Sequence, residues 1–287
     1  MPTMLEREAA KFFSTAVFRP LASGLSSERA DLMARHLRIE LNLGRGSSNR
    51  EVVAEAYELM RTNYRSEYFY RNLIASKIFV GRHRAANAVL LNELRIGESV
   101  ADCVLVNGKG VVYEIKTEFD SPDKLNSQLE NYYRAFPLVN VVTHVDQVER
   151  YLRALKDSPA GLIAVGTRDR LSIVKHAEPI PDSFNVRTMF NILRKHEVSA
   201  VLEQQLGNLP EVPNGLRYER LLELAERIPA AQFQKSMQQA IKARQLRNGR
   251  QMMLAPTLVP LRALVVQLDP DERQQENLAT WLSSEGQ

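Results

Sequence analysis

The sequence contains 287 residues, of which 44% are hydrophobic and 25% are charged, as is ordinary for a soluble globular protein. The net charge of +4 favours a polyanionic partner only weakly. A single cysteine, Cys103, excludes an internal disulfide and a cysteine metal site and suits a reducing cytoplasm. No apolar run reaches the length of a membrane span and the N-terminus lacks a signal-peptide core, so we expect a cytoplasmic protein without a membrane partner.

The first part of the chain, residues 1–80, has a helical pattern. Ser48 stands three residues before Glu51, the spacing of a capping box, and apolar residues follow at helical spacing. Three short runs rich in β-branched and aliphatic residues then predict strands, AVLLNELRI, SVADCVLV and GVVYEIK. The last two runs flank NGKG, which indicates a hairpin.

A helix is predicted after the third strand, with Ser121 as its N-cap, Pro122 at its first position and Pro137 as its end. Beyond it, LVNVVTHV predicts a strand, DQVERYLRALKD a helix, and GLIAVGTRDRLSIVKHA a pair of strands. The rest of the chain is again helical. The predicted organisation is a helical N-terminal region at 1–80, an α/β core at 81–181 and a helical C-terminal region at 182–287.

Three charged residues interrupt the apolar strands, Asp102 in the second and Glu114 and Lys116 in the third. Because side chains alternate along a strand, Glu114 and Lys116 share a face. Two carboxylates provide the hard oxygen ligands that Mg²⁺ or Mn²⁺ prefers, and such a metal acidifies a bound water. A lysine can orient that water or offset charge in the transition state. On spacing alone, a buried salt bridge between Asp102 and Lys116 is an equally good interpretation.

The hairpin register decides whether Asp102 joins the other two charges. A two-residue loop of Gly108 and Lys109 would oppose Asp102 to Ile115 and separate the charges. A three-residue loop would oppose Asp102 to Lys116, and it needs a residue in the left-handed region, which Gly110 can supply. We therefore predict the three-residue loop, or a bulge with the same effect.

The pattern of Asp102, then Glu114-x-Lys116 on the next strand, then a helix with Gln128 and Tyr132, resembles the PD-(D/E)xK nuclease superfamily. It is most similar to a bacterial branch with the signature YEIKTE-D…L..Q…Y, over about residues 67–143. The resemblance implies an α/β fold with a restriction-endonuclease-like core, in which helices flank a mixed central sheet. It also implies that Asp102 and Glu114 are metal ligands, that Lys116 is the catalytic lysine, and that Gln128 belongs to the catalytic set.

The sequence departs from the superfamily pattern in two places. Ala101 stands where the name of the motif has proline. Many members carry a further glutamate before the first strand, and Glu93 is the best candidate for this third metal ligand, although its run predicts a strand. An exposed or salt-bridged glutamate at a strand end is the alternative.

Basic and polar residues around these strands are candidate nucleic-acid contacts. Lys124, Gln128 and Tyr132 form one stripe of the predicted helix, and capping or packing is the alternative. Arg82 and Arg84 precede the first strand, where phosphate contacts and a solvated loop are equally good interpretations. Near the C-terminus, the run KARQLRNGR could bind phosphates or be a solvated face. The sequence has neither zinc-ligand spacing nor a phosphate-binding glycine loop, so neither a zinc site nor ATP hydrolysis is expected.

The leading hypothesis from these features is a Mg²⁺- or Mn²⁺-dependent endonuclease that hydrolyses DNA phosphodiester bonds and leaves 5′-phosphates. DNA is favoured over RNA only by the resemblance, which also implies a bacterial or phage setting in defence, mobile elements or repair. One alternative is a catalytically silent nuclease-fold protein that binds nucleic acid or a protein partner. Another is a regulatory module whose terminal helices form a homo-oligomer or bind a protein.

Overall fold

The computed structural model describes residues 2–81, 88–180, 182–244, 246 and 248–285. The chain divides into two compact units, one formed by Met1–Ala85 with Leu246–Gln287 and the other by Ala86–Gln245. This division differs from the three predicted regions, because the predicted C-terminal region contributes to both units. The helices that directly follow the sheet in sequence pack into the unit of the sheet, whereas the last helices belong to the N-terminal unit.

The first unit is helical, as predicted for the N-terminal region. Its elements are α1 (Met4–Phe12), α2 (Thr15–Ala22), α3 (Glu28–Glu40), α4 (Asn49–Asn63), α5 (Glu67–Leu73), a π-helical segment (Ile74–Val80), α12 (Arg250–Leu254), a 3₁₀ segment (Pro256–Leu261), α13 (Arg262–Leu268) and α14 (Glu272–Ser283). The capping box of α4 is confirmed. Ser48 Oγ accepts from the Glu51 backbone N–H at 3.3 Å, and Glu51 Oε2 accepts from the Ser48 N–H at 2.7 Å.

The second unit contains six strands and six α-helices among its described residues. Its strands are β1 (Val89–Ile96), β2 (Ser99–Asn107), β3 (Lys109–Lys116), β4 (Leu138–His144), β5 (Gly161–Val165) and β6 (Leu171–Lys175). Its helices are α6 (Leu125–Tyr133), α7 (Val148–Ala154), α8 (Val186–Ile192), α9 (Lys195–Leu206), α10 (Arg217–Ala225) and α11 (Ala230–Lys242), with short 3₁₀ turns at Val145–Gln147, Thr167–Asp169 and Asn214–Leu216. Across the described ranges of the whole chain, no helix is long and apolar enough to span a bilayer.

The strands form one mixed sheet in the order β1-β2-β3-β4-β5-β6. The pairs β1–β2, β2–β3 and β5–β6 are antiparallel, whereas β3–β4 and β4–β5 are parallel. The parallel β3–β4 pair requires a crossover, and α6 makes it, packing against β2 and β4. Helices α8 and α11 pack on β1 and β2, and α7 packs on β5. An α/β fold with a mixed sheet flanked by helices is thus confirmed.

The hairpin between β2 and β3 is tighter than predicted. Asn107 pairs with Lys109, so Gly108 alone forms the tip, with a φ of +74°. The predicted three-residue loop is therefore wrong, and the left-handed residue is Gly108 rather than Gly110. Gly110 has a different requirement, since a Cβ atom there would lie 2.4 Å from Cδ1 of Phe136. Close packing, rather than backbone conformation, explains this glycine.

The observed register still brings the charged residues together. The last pair of the β2–β3 ladder is Cys103 with Tyr113, and continuing it opposes Asp102 to Glu114 instead of Lys116. The observed register differs from the predicted one by two residues. Because the side-chain period of a strand is also two, this shift leaves every side chain on its predicted face.

The helix after β3 begins later than predicted. It starts at Leu125, and the Ser121 hydroxyl donates to Asp123 Oδ2 at 2.6 Å rather than capping the helix. The segment before it forms a separate turn, in which Asp120 Oδ2 accepts from the backbone N–H and the hydroxyl of Thr117 at 2.7 and 2.6 Å. Local side-chain bonds of this kind compete with helix formation.

Candidate active site

The face of β2 and β3 that packs against α6 changes from apolar to charged along its length. Val104 and Val112 lie in the buried core on this face. Two residues further towards the same end of the sheet come Asp102 on β2 and Glu114 on β3, followed by Lys116. Because alternate residues of a strand share a face, the charged residues lie on the same face as the core valines.

Glu114 lies at the centre of the site and is only 2% exposed. Its Oε1 accepts from Lys116 Nζ at 2.9 Å and from Gln128 Nε2 at 2.6 Å. Its Oε2 accepts from the Tyr132 hydroxyl at 2.6 Å. A buried carboxylate is tolerated only when it is paired and hydrogen-bonded, and these three donors from β3 and α6 meet that requirement.

Lys116 is 8% exposed and links the two elements of the site. Its Nζ donates to Glu114 Oε1 at 2.9 Å and to Gln128 Oε1 at 2.8 Å. An ammonium has three N–H donors, so within the described structure one donor remains beyond these two acceptors. The ion-pair partner of Lys116 is Glu114, whereas the salt-bridge alternative of the sequence analysis named Asp102.

Asp102 joins the site from β2 and is half-buried. Its Oδ2 accepts from the backbone N–H of Ile115 at 2.7 Å. The carboxylate thereby takes the place of a ladder partner just beyond the last β2–β3 pair. This bond fixes the acid next to Glu114, and its negative charge reaches the hydroxyl of Tyr132.

Tyr132 is fully buried, so the prediction that it contacts nucleic acid is wrong. Its hydroxyl lies 2.6 Å from Glu114 Oε2 and 2.9 Å from the carbonyl oxygen of Val100. Burial raises the pKa of Tyr132 well above its usual value, and the charges of Glu114 and Asp102 raise it further. The phenol is therefore a neutral hydrogen-bond donor to the site.

The site lies inside a span that matches a known protein family. The family described as bacteriophage P4 protein cII matches residues 60–258, more than half of the chain. The chain belongs to this family. Neither the curated proteins nor the solved structures include a significant match. The cII family match contains every residue from Asp102 to Tyr132, so the site belongs to the part of the chain that defines the family.

The predicted third metal ligand of this cII family chain, Glu93, stays a prediction. Glu93 lies in β1, as the sequence predicts, and is exposed, with a left-handed φ of +55°. The pairs on either side of it place it beside Asp102 in the β1–β2 register. Within the described ranges, no group of three or more His, Cys, Asp or Glu side chains can hold a metal ion.

The predicted basic contacts have mixed outcomes. Lys124 is exposed and immediately precedes α6, beside the site, which leaves its prediction as a DNA contact open. Arg82 and Arg84 lie outside the described residues, as does Arg247 of the C-terminal basic run. Arg244 of the same run has 9% of its side chain exposed and pairs with Glu197, so it is not part of a solvated face.

Two supports of the site were missed by sequence reasoning. Thr143 on β4 is fully buried and donates from Oγ1 to the carbonyl of Lys116 at 2.7 Å, which anchors the end of β3. The loop after β3 is held by Tyr151, whose hydroxyl donates to the carbonyl of Asp120 at 3.1 Å. Burial and the nearby charge of Asp120 raise the pKa of Tyr151 to about 12. A polar residue in the apolar run LVNVVTHV is the only sequence signal that indicates Thr143.

Proposed function

We propose that this protein is a metal-dependent nuclease that hydrolyses DNA phosphodiester bonds. The observation that carries the proposal is the convergence of Asp102, Glu114, Lys116 and Gln128 at one end of a sheet face, with the lysine bonded to both Glu114 and Gln128. A chain needs no such set to fold, because apolar residues of similar size would fill the space without burying charge. The mixed sheet flanked by helices agrees with the core that the nuclease resemblance implies.

The donor set fits a magnesium ion. Asp102 and Glu114 offer carboxylate oxygens, and Mg²⁺ is commonly bound through one or two carboxylates while keeping several waters. The absence of a third carboxylate in the described cluster is compatible with this habit. One Glu114 oxygen, Oε2, has a single side-chain donor in the described structure, the Tyr132 hydroxyl. When bound, the ion would acidify a water and offset the charge of a phosphoryl oxygen.

Lys116 and Gln128 would supply the chain's own part of the chemistry. Lys116 Nζ keeps one N–H donor beyond its bonds to Glu114 and Gln128, and this donor can orient a water or bond a phosphate oxygen. Gln128 bonds Lys116 through Oε1 and Glu114 through Nε2, so it fixes the direction of the ammonium. The site is thus pre-organised before any substrate arrives.

The DNA substrate and the biological setting are drawn from resemblance and family. The nuclease resemblance favours DNA, and the net charge of +4 is compatible with a polyanion. The family is named after a bacteriophage protein, which agrees with a phage or other mobile-element setting. Cleavage within a chain, leaving 5′-phosphates, is the outcome that the resemblance favours.

A catalytically silent protein that binds nucleic acid or a partner is the second candidate, and one observation favours it. Glu114 is almost fully buried and accepts three hydrogen bonds, which is also how a purely structural carboxylate would be held. In that case the polar cluster would only fix α6 on the sheet. Cleavage assays separate the two candidates directly.

The test uses linear, circular and single-stranded DNA, with RNA in parallel, in Mg²⁺, in Mn²⁺ and in EDTA. The variants are Lys116→Ala and Asp102→Asn, of which the second keeps an oxygen acceptor for the Ile115 N–H. Asp123→Asn is the matched control, since Asp123 is an exposed acid before α6 that accepts a hydrogen bond from the Ser121 hydroxyl. We expect metal-dependent cleavage that both site variants lose and the control keeps.

Two other results would decide against the nuclease. Cleavage that survives in both site variants would indicate a contaminant or another site. Binding of DNA without cleavage in either metal would establish the silent protein instead. A preference for RNA over every form of DNA would support phosphodiester hydrolysis but contradict DNA as the substrate.

A further inference from the structure

The hydroxyl of Tyr132 has one hydrogen and two acceptors. Glu114 Oε2 lies 2.6 Å from the phenol oxygen and the carbonyl oxygen of Val100 lies 2.9 Å from it. Because a hydroxyl donates a single hydrogen, only one of these contacts is a full hydrogen bond at any time. The hydrogen moves between them by rotation about the bond from the ring to the oxygen, which requires no change in the backbone or in the ring.

The two acceptors differ in strength. A bond to a carboxylate is charge-assisted, shorter and roughly twice as strong as a bond to a neutral carbonyl. In the metal-free protein the hydrogen therefore points to Glu114, in agreement with the shorter distance. A cation held by Asp102 and Glu114 would draw electron density from the carboxylate and so weaken it as an acceptor, and the carbonyl of Val100 would then compete for the hydrogen.

The other two donors to Glu114 bond its other carboxylate oxygen. Lys116 and Gln128 both bond Oε1, and they also bond each other. Of the described side chains that bond Glu114, Tyr132 alone reaches Oε2. Oε2 is thus the oxygen that can be released without breaking the bonds of Lys116 and Gln128 to Oε1.

We propose that Tyr132 is a positioning residue whose hydroxyl hydrogen passes from Glu114 to Val100 when a divalent cation binds. The proposal rests on the proposed metal-dependent function. The hydroxyl holds the carboxylate in place in the metal-free protein and competes with the cation for it. Metal binding is consequently weaker than the two carboxylates alone would give, and the metal-free site is more stable.

The consequence is a metal affinity that rises when the hydroxyl is removed. In Tyr132→Phe the metal-free protein loses a charge-assisted bond, whereas the metal-bound protein loses only the weaker bond to the carbonyl. From the usual difference between these two kinds of bond, Mg²⁺ should bind roughly three- to tenfold more tightly to the variant. The same variant should be less stable without metal and should regain more stability when Mg²⁺ is added.

The adjacent residue provides a matched control. Tyr133 lies on the same helix and is 6% exposed, and within the described structure its hydroxyl has no hydrogen-bond partner. Tyr133→Phe therefore removes a buried hydroxyl without removing a bond to the site. We expect this variant to bind Mg²⁺ as the wild type does.

The experiment is calorimetric titration of the full chain with Mg²⁺ alone, together with thermal unfolding in EDTA and in Mg²⁺. Tighter binding in Tyr132→Phe and unchanged binding in Tyr133→Phe support the proposal. Unchanged or weaker binding in Tyr132→Phe, with a wild type that binds Mg²⁺, would overturn it and leave the nuclease proposal standing. A folded wild type that binds no Mg²⁺ would overturn both.

A second variant keeps the test valid if Tyr132→Phe does not fold. Replacing Tyr132 by 3,5-difluorotyrosine retains the ring and the hydroxyl but makes the hydroxyl a stronger donor. The bond to the carboxylate should gain more than the bond to the carbonyl, so Mg²⁺ should bind more weakly than to the wild type. Tighter or equal binding in this variant contradicts the proposed movement of the hydrogen.

Discussion

Two buried ion pairs lie in the same unit, and they are built differently. In the first, Arg244 Nε donates to Glu197 Oε1 at 2.7 Å and Nη2 bonds the other carboxylate oxygen. The remaining partners of this pair are backbone atoms, the Arg194 N–H at 2.7 Å and the Ile192 carbonyl at 3.0 Å. In the second, Lys116 pairs with Glu114.

The difference lies in what surrounds each acid. The backbone partner of Glu197 is Arg194, the N-cap of α9, and that of Arg244 is Ile192, the last residue of α8, so this pair fixes where one helix ends and the next begins. The partners of Glu114 are side-chain groups of Gln128 and Tyr132, which can rotate and can be replaced by a ligand. An arginine fork suits the first task and a compact ammonium with spare donors suits the second. Burial is therefore common to the two pairs, and the kind of partner is where they differ.

The largest expected effect is the loss of stability when the structural pair is broken. Arg244→Met leaves the buried Glu197 with the backbone N–H of Arg194 as its remaining hydrogen-bond donor in the described structure. Breaking a buried pair by removing one member costs about 3–5 kcal/mol, and we expect the free energy of unfolding to fall by that order. Denaturant titration of the variant and the wild type measures it. A loss of unfolding free energy below about 1 kcal/mol would mean that the pair of Arg244 and Glu197 does not stabilise the fold as a structural pair should.

The same change at the second pair should affect activity more than folding. In Lys116→Met, Glu114 keeps its bonds to Gln128 and Tyr132, so we expect a smaller loss of stability than in Arg244→Met. Removing a donor aimed at developing charge costs about 100-fold or more in turnover, and we expect metal-dependent cleavage to fall by at least that factor. Turnover and unfolding measured on the same preparations test both parts. Equal stability losses in the two variants would contradict the comparison.

Gln128 should have an intermediate effect, because it orients Lys116 without carrying charge. Gln128→Leu removes the bonds to Lys116 Nζ and to Glu114 Oε1 but leaves the ion pair. The loss of one orienting hydrogen bond corresponds to about tenfold in turnover, with little change in the Michaelis constant. Steady-state kinetics on a short DNA substrate measures it. Full activity in this variant would show that the ion pair alone orients the ammonium.

Much of the fold could be predicted from the spacing of apolar residues and from capping and turn residues. The three strands, the NGKG hairpin, the capping box at Ser48 and the later strand pair all occur where the sequence places them. These features depend on contacts between residues close in sequence, which a local pattern records. The division into two units could not be predicted in this way, because it depends on which distant helices pack together.

The site was predicted as a set of residues but not as a geometry. Strand alternation and the hairpin register predicted that Asp102, Glu114 and Lys116 share one face. This prediction is correct although the predicted loop length is wrong, because the true register differs from the predicted one by two residues. The partner of Lys116 and the burial of Tyr132 depend on how α6 docks on the sheet, which no strand pattern encodes. For the same reason Arg244, in a run that resembles a solvated basic face, proved to be buried.

The smallest predicted effect separates the two pairs by pH. Burial opposes the charge of Glu197, but the hydrogen bonds from Arg244 and from the Arg194 N–H outweigh it and lower the pKa of Glu197 below 4.5. A carboxyl with a lowered pKa in the folded protein adds stability above its unfolded pKa, and this stability is lost as the pH falls. Unfolding measured between pH 6 and pH 3 should therefore show a decline to which Glu197 contributes at most about 1.4 kcal/mol per pH unit. Glu197→Gln should lack that part of the decline.

Arg244→Met should reverse the pH dependence that Glu197 contributes. Without the arginine, burial is no longer outweighed, so it should raise the pKa of Glu197 above its unfolded value. The contribution of this carboxyl then reverses, and protonation on acidification should return part of the stability lost at neutral pH. The difference in unfolding free energy between Arg244→Met and the wild type should accordingly shrink as the pH falls from 6 to 3. A constant difference would mean that Glu197 is held by its backbone partner alone, and the contrast between a pair fixed by arginine and a pair open to ligands would lose its basis.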